Sequence, residues 1–163
     1  MRHRVRELEH TADVGFEVRA PSLEGLFEGA ARGLVDALGL EAGDGAEAEG
    51  RAEAEGRAEA ERGRDAGAEE PEALRLSRPD LERLLVHWLR ELLSRAMAGG
   101  EVPEARVHEV RPGDGDEPSL RASVRWLPAA GAGPAREIKG VTYHGLEVAR
   151  TDGSWHARVV LDV

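Results

Sequence analysis

His10-Thr11-Ala12-Asp13-Val14-Gly15-Phe16-Glu17-Val18-Arg19-Ala20-Pro21-Ser22-Leu23 is the stretch that decides how this chain folds. Val14, Phe16 and Val18 alternate with Gly15, Glu17 and Arg19, a period of two that predicts a half-buried strand. At Pro21-Ser22 the period changes. Leu23, Leu26, Phe27, Ala30, Ala31, Leu34, Val35 and Leu38 recur at helical spacing, with Ser22 as N-cap and Gly39 as the stop. Gly25, Gly29 and Gly33 are expected off that apolar face, each costing roughly 1 kcal/mol of helix propensity against Ala. A polar cluster, His10 to Asp13, therefore stands at the mouth of a strand that a helix follows at once.

Working outward, residues 3–9 carry Val5 and Leu8 among charges and predict an irregular first strand. Residues 41–72 are different material: the hexad Gly-Arg-Ala-Glu-Ala-Glu occurs at 50–55 and again at 56–61, with no Leu, Ile, Val or aromatic side chain. Such a segment buries too little to offset its ordering entropy and is expected to be a solvated, disordered insert. Leu74 and Leu76 mark a short strand over 73–77. Asp80 then opens the strongest helix, whose stripe runs from Leu81 through Leu84, Leu85, Trp88, Leu89, Leu92 and Leu93 to Met97, ending at Gly99-Gly100; His87 lies off the stripe and is expected in solvent. Strand signals follow at 105–110, at Leu120 to Trp126, at 145–149 and at Trp155 to Leu161, with Asp152-Gly153 as a hairpin turn. Two long amphipathic helices and about six hairpin-linked strands predict a single α+β domain, an antiparallel or mixed sheet with both helices packed on it.

Composition removes several functions. Without cysteine there is no disulfide, thiolate nucleophile or cysteine zinc site. Met1-Arg2-His3-Arg4 leads straight into alternating residues with no apolar leader, and no tract is long enough to span a bilayer, so a cytoplasmic protein with no membrane contact is expected. The formal charge is −10, but residues 41–73 hold twelve acids and four arginines, leaving the remainder near balance. No basic run appears in the sequence, and direct nucleic-acid binding is not expected. Of the 22 cationic residues only Lys139 is a lysine, a compact point charge among arginine forks; taken alone it reads most simply as a surface residue.

Three polar groups are candidates for chemistry. Thr11 and Asp13 either bond backbone at a turn or contribute, with His10, acid–base or ligand atoms. At the far end, Leu161-Asp162-Val163 sets a side-chain and a terminal carboxylate on adjacent residues of a good strand pattern. If that strand lies beside the one beginning at Val14, three carboxylates converge, and a hard divalent cation with oxygen ligands is the simplest neutraliser. The third group is Lys139-Gly140-Val141-Thr142-Tyr143-His144, which packs a cation, a hydroxyl, a phenol and an imidazole into six residues or else forms a strand edge with the tyrosine and histidine satisfied locally. Asp114-Gly115-Asp116 lacks the later glycine and glutamate of a calcium loop and is read as a turn. There is no phosphate-cradling glycine loop and no His-x-x-x-His pair.

Taken in order, His10-Thr11-Ala12-Asp13, Ser22-Leu23-Glu24-Gly25-Leu26-Phe27, Asp80-Leu81 through Leu84-Leu85-Val86-His87-Trp88-Leu89, Lys139-Gly140-Val141-Thr142-Tyr143-His144 and Leu161-Asp162-Val163 resemble the archease family over all but the 41–72 insert. The resemblance implies a non-catalytic activator that promotes guanylylation and turnover of an RtcB-type tRNA-splicing RNA ligase. It also implies a divalent cation, calcium first and Mg²⁺ or Mn²⁺ as alternatives, on Asp13, Asp162 and Val163. Lys139 would be the functional lysine, with His10 and His144 as further candidates. Glycine at 140, where the family commonly has alanine, is a mild departure. The rival expectations are a small metal-dependent hydrolase using Asp13 with His10 or His144, and a chaperone-like adaptor.

Overall fold

The computed structural model describes residues 3–10, 13–43 and 70–163, with Leu8, Glu9, His10 and Asp13 described by their backbone alone. The disorder expected of 41–72 falls mainly on 44–69, outside the described residues. The ends of that interval belong to the fold: Ala42 bridges Ala129, the Gly43 N–H donates to the Pro128 carbonyl at 2.8 Å, and Glu72 opens a strand.

The elements run β1 (Arg4–His10), β2 (Asp13–Ala20), α1 (Leu23–Leu38), β3 (Glu72–Ser77), α2 (Leu81–Gly99), β4 (Glu101–Arg111), β5 (Ser119–Pro128), β6 (Gly140–Thr151) and β7 (Ser154–Asp162). They form the expected α+β architecture, with every strand pair antiparallel. The strands divide between two sheets, ordered β1-β2-β7-β6 and β3-β5-β4. Each helix packs against strands of both sheets.

Local chemistry sets the helix boundaries. The Ser22 hydroxyl accepts the Gly25 N–H at 3.1 Å and the Asp80 carboxylate accepts the Arg83 N–H at 2.7 Å, each satisfying one orphan donor of a first turn. Both helices end on glycine in the left-handed region, Gly39 at φ 65° and Gly100 at φ 61°. Asp152 (φ 51°) and Gly153 (φ 75°) make the two-residue turn between β6 and β7, both with the positive φ that a type I′ hairpin requires.

The glycines of α1 correct the sequence expectation. Gly25, Gly29 and Gly33 are buried, not turned outward. A Cβ at Gly33 would lie 2.7 Å from the Phe16 ring, and one at Gly29 would lie 2.7 Å from Val18 Cγ1. Gly29 and Gly33, one turn apart, form a groove along the helix that receives the inward side chains Val18 and Phe16 of β2. Helix propensity is sacrificed there for a close helix–sheet approach. On the other side of the core Trp88 is fully buried and donates its indole N–H to the Phe27 carbonyl at 3.0 Å, joining the two helices.

His87 also departs from expectation. It is half-buried, 2.7 Å from an Arg78 guanidinium nitrogen and 3.5 Å from Glu91. Sheet β3-β5-β4 ends in the edge strand β4, whose free donors are covered from α1: Glu24 accepts the Val110 N–H and Glu28 the Val107 N–H, each at 3.0 Å. This disposes of an exposed edge that would otherwise invite further strand pairing.

Candidate functional site

The turn end of the β1–β2 hairpin and the last residue of β7 meet on one rung of the four-stranded sheet. His10 pairs with Asp13 across the β1–β2 hairpin, Asp13 pairs with Asp162 of β7, and Asp162 pairs with Gly140 of β6. The inward apolar residues enforce this register, since Val14 stands opposite Leu161, Phe16 opposite Val159 and Val18 opposite Ala157. A slip of one residue would turn all of them to the wrong side.

Lys139 is brought to the same rung by the β5–β6 connection. That segment is fixed at three points: the Ala135 N–H donates to the Leu38 carbonyl at 2.9 Å, Ile138 is buried in the core, and the Lys139 N–H donates to the Asp162 carbonyl at 2.7 Å. The Lys139 side chain itself is exposed, as are Asp162 and Val163. Beyond the rung, β6 is the sheet edge, as the local reading of this stretch expected. Pairing with β7 is irregular between Thr142 and Glu147, which extrudes Tyr143, His144 and Gly145. His144 is therefore not on the rung; it is exposed, and its backbone N–H donates to Thr142 Oγ1 at 3.2 Å.

One contributor escaped sequence reasoning. Arg90, on the exposed side of α2, donates to the Val141 carbonyl at 2.9 Å and lies over the Tyr143 ring at 5.3 Å from its centroid. It ties α2 to the start of β6 and holds the Tyr143 ring. Helical spacing puts Arg90 off the apolar stripe, where it reads as one more solvated charge.

The acids of this rung, Asp13 and Asp162, occupy directly opposed backbone positions, with Val163 next in the chain and His10 across the hairpin. That chemistry fits a hard divalent cation, and no thiolate or paired imidazole is present to favour a softer metal. Among the described side chains no three histidines, aspartates or glutamates come together to hold a metal ion, and the side chains of His10 and Asp13 lie outside those described. Asp114-Gly115-Asp116 is a turn, with Gly113 and Gly115 at φ 83° and 91°. No helix among the described residues is long and apolar enough to cross a membrane.

A small α+β protein in which the β1–β2 hairpin and the end of β7 set two aspartates opposite each other on one sheet rung is the class that fold and site define. The Archease protein family (MTH1598/TM1083) model matches residues 6–163. The chain belongs to the archease family. It is 32% identical to Protein archease of Methanosarcina mazei over 163 residues, covering 96% of this chain and 93% of that one. It is 33% identical to Protein archease of Methanopyrus kandleri, covering 96% and 97%. The fold matches the solution structure of Methanobacterium thermoautotrophicum protein 1598 with a TM-score of 0.67 at 24% identity, covering 98% of both chains. It also matches the crystal structure of an archease described as a "possible chaperone" from Thermotoga maritima, with a TM-score of 0.52 at 20% identity over 100% and 98%.

Proposed function

We propose that this chain is a protein cofactor that promotes guanylylation and turnover of an RtcB-type RNA ligase in tRNA splicing or RNA repair, and that it does no chemistry alone. The observation that carries the reading is the His10–Asp13–Asp162–Gly140 rung with Lys139 bonded to it. Asp13, Asp162 and Val163 would hold a divalent cation, calcium or alternatively Mg²⁺ or Mn²⁺, which when bound supplies positive charge toward phosphate oxygens. Lys139, exposed beside the rung, adds a second, mobile cation for the same phosphates. The chain's part is positional: a rigid sheet end presents these groups to the partner's nucleotide-loading site.

The decisive experiment is ligase guanylylation with and without this protein, repeated with Asp13→Ala, Asp162→Ala and Lys139→Ala. Stimulation by the wild type and its loss in the variants is expected; an unstimulated ligase refutes the function. A second reading has one observation behind it, the chaperone description of the Thermotoga maritima structure. A chaperone-like adaptor keeps its effect in all three variants. A metal-dependent hydrolase using Asp13 with His10 or His144 turns over phosphate esters without the ligase.

A further inference from the structure

The outward faces of the two sheets carry charge differently. On the four-stranded sheet the rung Arg6–Glu17–Arg158–Glu147 alternates in sign across all four strands, so cross-strand neighbours attract. On the three-stranded sheet Arg75 stands directly opposite Arg121, two like charges at the nearest cross-strand position. The nearest anion to Arg121 is Glu109 at 3.9 Å, and Glu109 is already engaged by Arg111 at 3.1 Å. Arg75 is exposed and has no ion-pair partner among the described residues.

Register puts Arg106, Arg111 and Arg125 on the same face, which holds two strand glutamates, Glu104 and Glu109. Glu117, from the β4–β5 loop, accepts the Ser77 hydroxyl at 3.0 Å at one end. Arg75, Arg106, Arg111, Arg121 and Arg125 thus share one face with Glu104 and Glu109, and the β4–β5 loop at its end adds Asp114, Asp116 and Glu117. At its centre a shallow cavity of about 330 Å³ spans all three strands, and its charged lining is Arg75 and Arg121. His108 and Ser123 also line it, with Nε2 and Oγ 2.9 Å apart. His108 reaches this position because β4 bulges between Val107 and Glu109, a device that re-aims one side chain.

We propose that this cavity is a phosphate-binding site. Two guanidinium forks side by side match the oxygens of a phosphate bidentately, and a hydroxyl and an imidazole add donors beside them. Among the described residues no carboxylate lines the cavity. A bound oxyanion also offsets the repulsion between Arg75 and Arg121, to which Glu109 answers only from the Arg121 side, at 3.9 Å. The cavity is open, so the phosphate it takes is one carried on a larger molecule: a nucleotide, or the backbone of a nucleic-acid strand. Among the described residues no Phe, Tyr or Trp lines it, and the one ring there, the His108 imidazole, is bonded to Ser123, so recognition is of phosphate and not of sequence. The sequence showed no basic run because β3, β4 and β5 each contribute part of the set. The site lies apart from the aspartate rung and does not depend on the proposed ligase role.

The test is titration of the full chain at low ionic strength with inorganic phosphate, a nucleoside monophosphate, a ten-nucleotide oligoribonucleotide and polyglutamate, read by the NMR shifts of the His108 imidazole. A phosphate-bearing probe is expected to move those signals. Saturation by phosphate or the mononucleotide identifies a phosphate monoester, and a response confined to the oligonucleotide, falling steeply with salt, identifies the diester backbone. Arg75→Ala combined with Arg121→Ala should weaken binding at least about tenfold, the scale of one lost charge-assisted hydrogen bond. That variant removes an exposed like-charge pair and should melt no lower than the wild type. Arg6→Ala with Arg158→Ala should bind as the wild type does. Silence from every phosphate probe, an equal response to polyglutamate, or undiminished binding by the Arg75/Arg121 variant overturns the assignment.

Discussion

Gly33→Ala sets two terms of opposite sign against each other. Alanine in a helix interior is favoured over glycine by about 1 kcal/mol, so propensity alone makes the variant more stable. The new methyl, however, would lie 2.7, 2.8 and 3.0 Å from three carbons of the Phe16 ring, against the 3.5 Å or more of an ordinary carbon contact. The ring must retreat by almost an ångström, and Phe16 is only 1% exposed, so it has nowhere empty to go. Overpacking of this kind costs about 1–3 kcal/mol. With propensity deducted, the net loss is about 1 kcal/mol and up to 2. For a chain of this size that lowers Tm by roughly 3–6 °C. Urea and thermal melts followed by circular dichroism measure it. The cost should shrink or reverse in a Phe16→Leu background, where the narrower side chain leaves room, giving a favourable coupling in the double-mutant cycle. A Gly33→Ala protein that melts at or above the wild-type temperature refutes the groove as the reason for glycine at this position.

Glu28→Ala should lose about 1 kcal/mol and speed amide hydrogen exchange at Val107, since the β4 edge loses the acceptor that Glu28 provides. Asp152→Ala should cost about 1 kcal/mol in a thermal melt while Asp152→Gly and Asp152→Asn are near neutral, because a β-carbon without a local acceptor is strained at φ 51°. If Asp13, Asp162 and Val163 hold a divalent cation, saturating Ca²⁺ should raise the wild-type Tm and chelation should return it, as preferential binding to the folded state requires. Asp162→Ala should melt at one temperature with or without Ca²⁺, and a wild type indifferent to every divalent ion tested removes the cation from the account.

The elements were legible where period and punctuation agreed. Ser22, Asp80, Gly39, Gly100 and Asp152-Gly153 each perform the boundary role their residue type suggested, because capping and turn formation are settled by a few neighbouring atoms. What stayed hidden depends on distance between elements. The α1 glycines looked outward on helical spacing, yet a close approach to Phe16 and Val18 makes them the contact surface. Glu24 and Glu28 look like ordinary solvated acids until the bare edge of β4 is found against them. The arginine face was invisible for the same reason, being drawn from three strands that lie as far apart in sequence as Arg75 and Arg121.

The juxtaposition of residues 13 and 162 was legible for a further reason. Two strands that both alternate cleanly, and both must bury Phe16-like or Val159-like side chains on the same helices, can pair in few registers. Antiparallel pairing with the hydrophobic sets facing inward fixes one of them. The residue just before Val14 and the residue just after Leu161 are then necessarily rung partners. The core therefore positions both residues through the backbones of β2 and β7. A substitution that weakens the inward Val14–Leu161 or Phe16–Val159 pairs acts on the site through register, loosening the Asp13–Asp162 rung before any acidic group is touched.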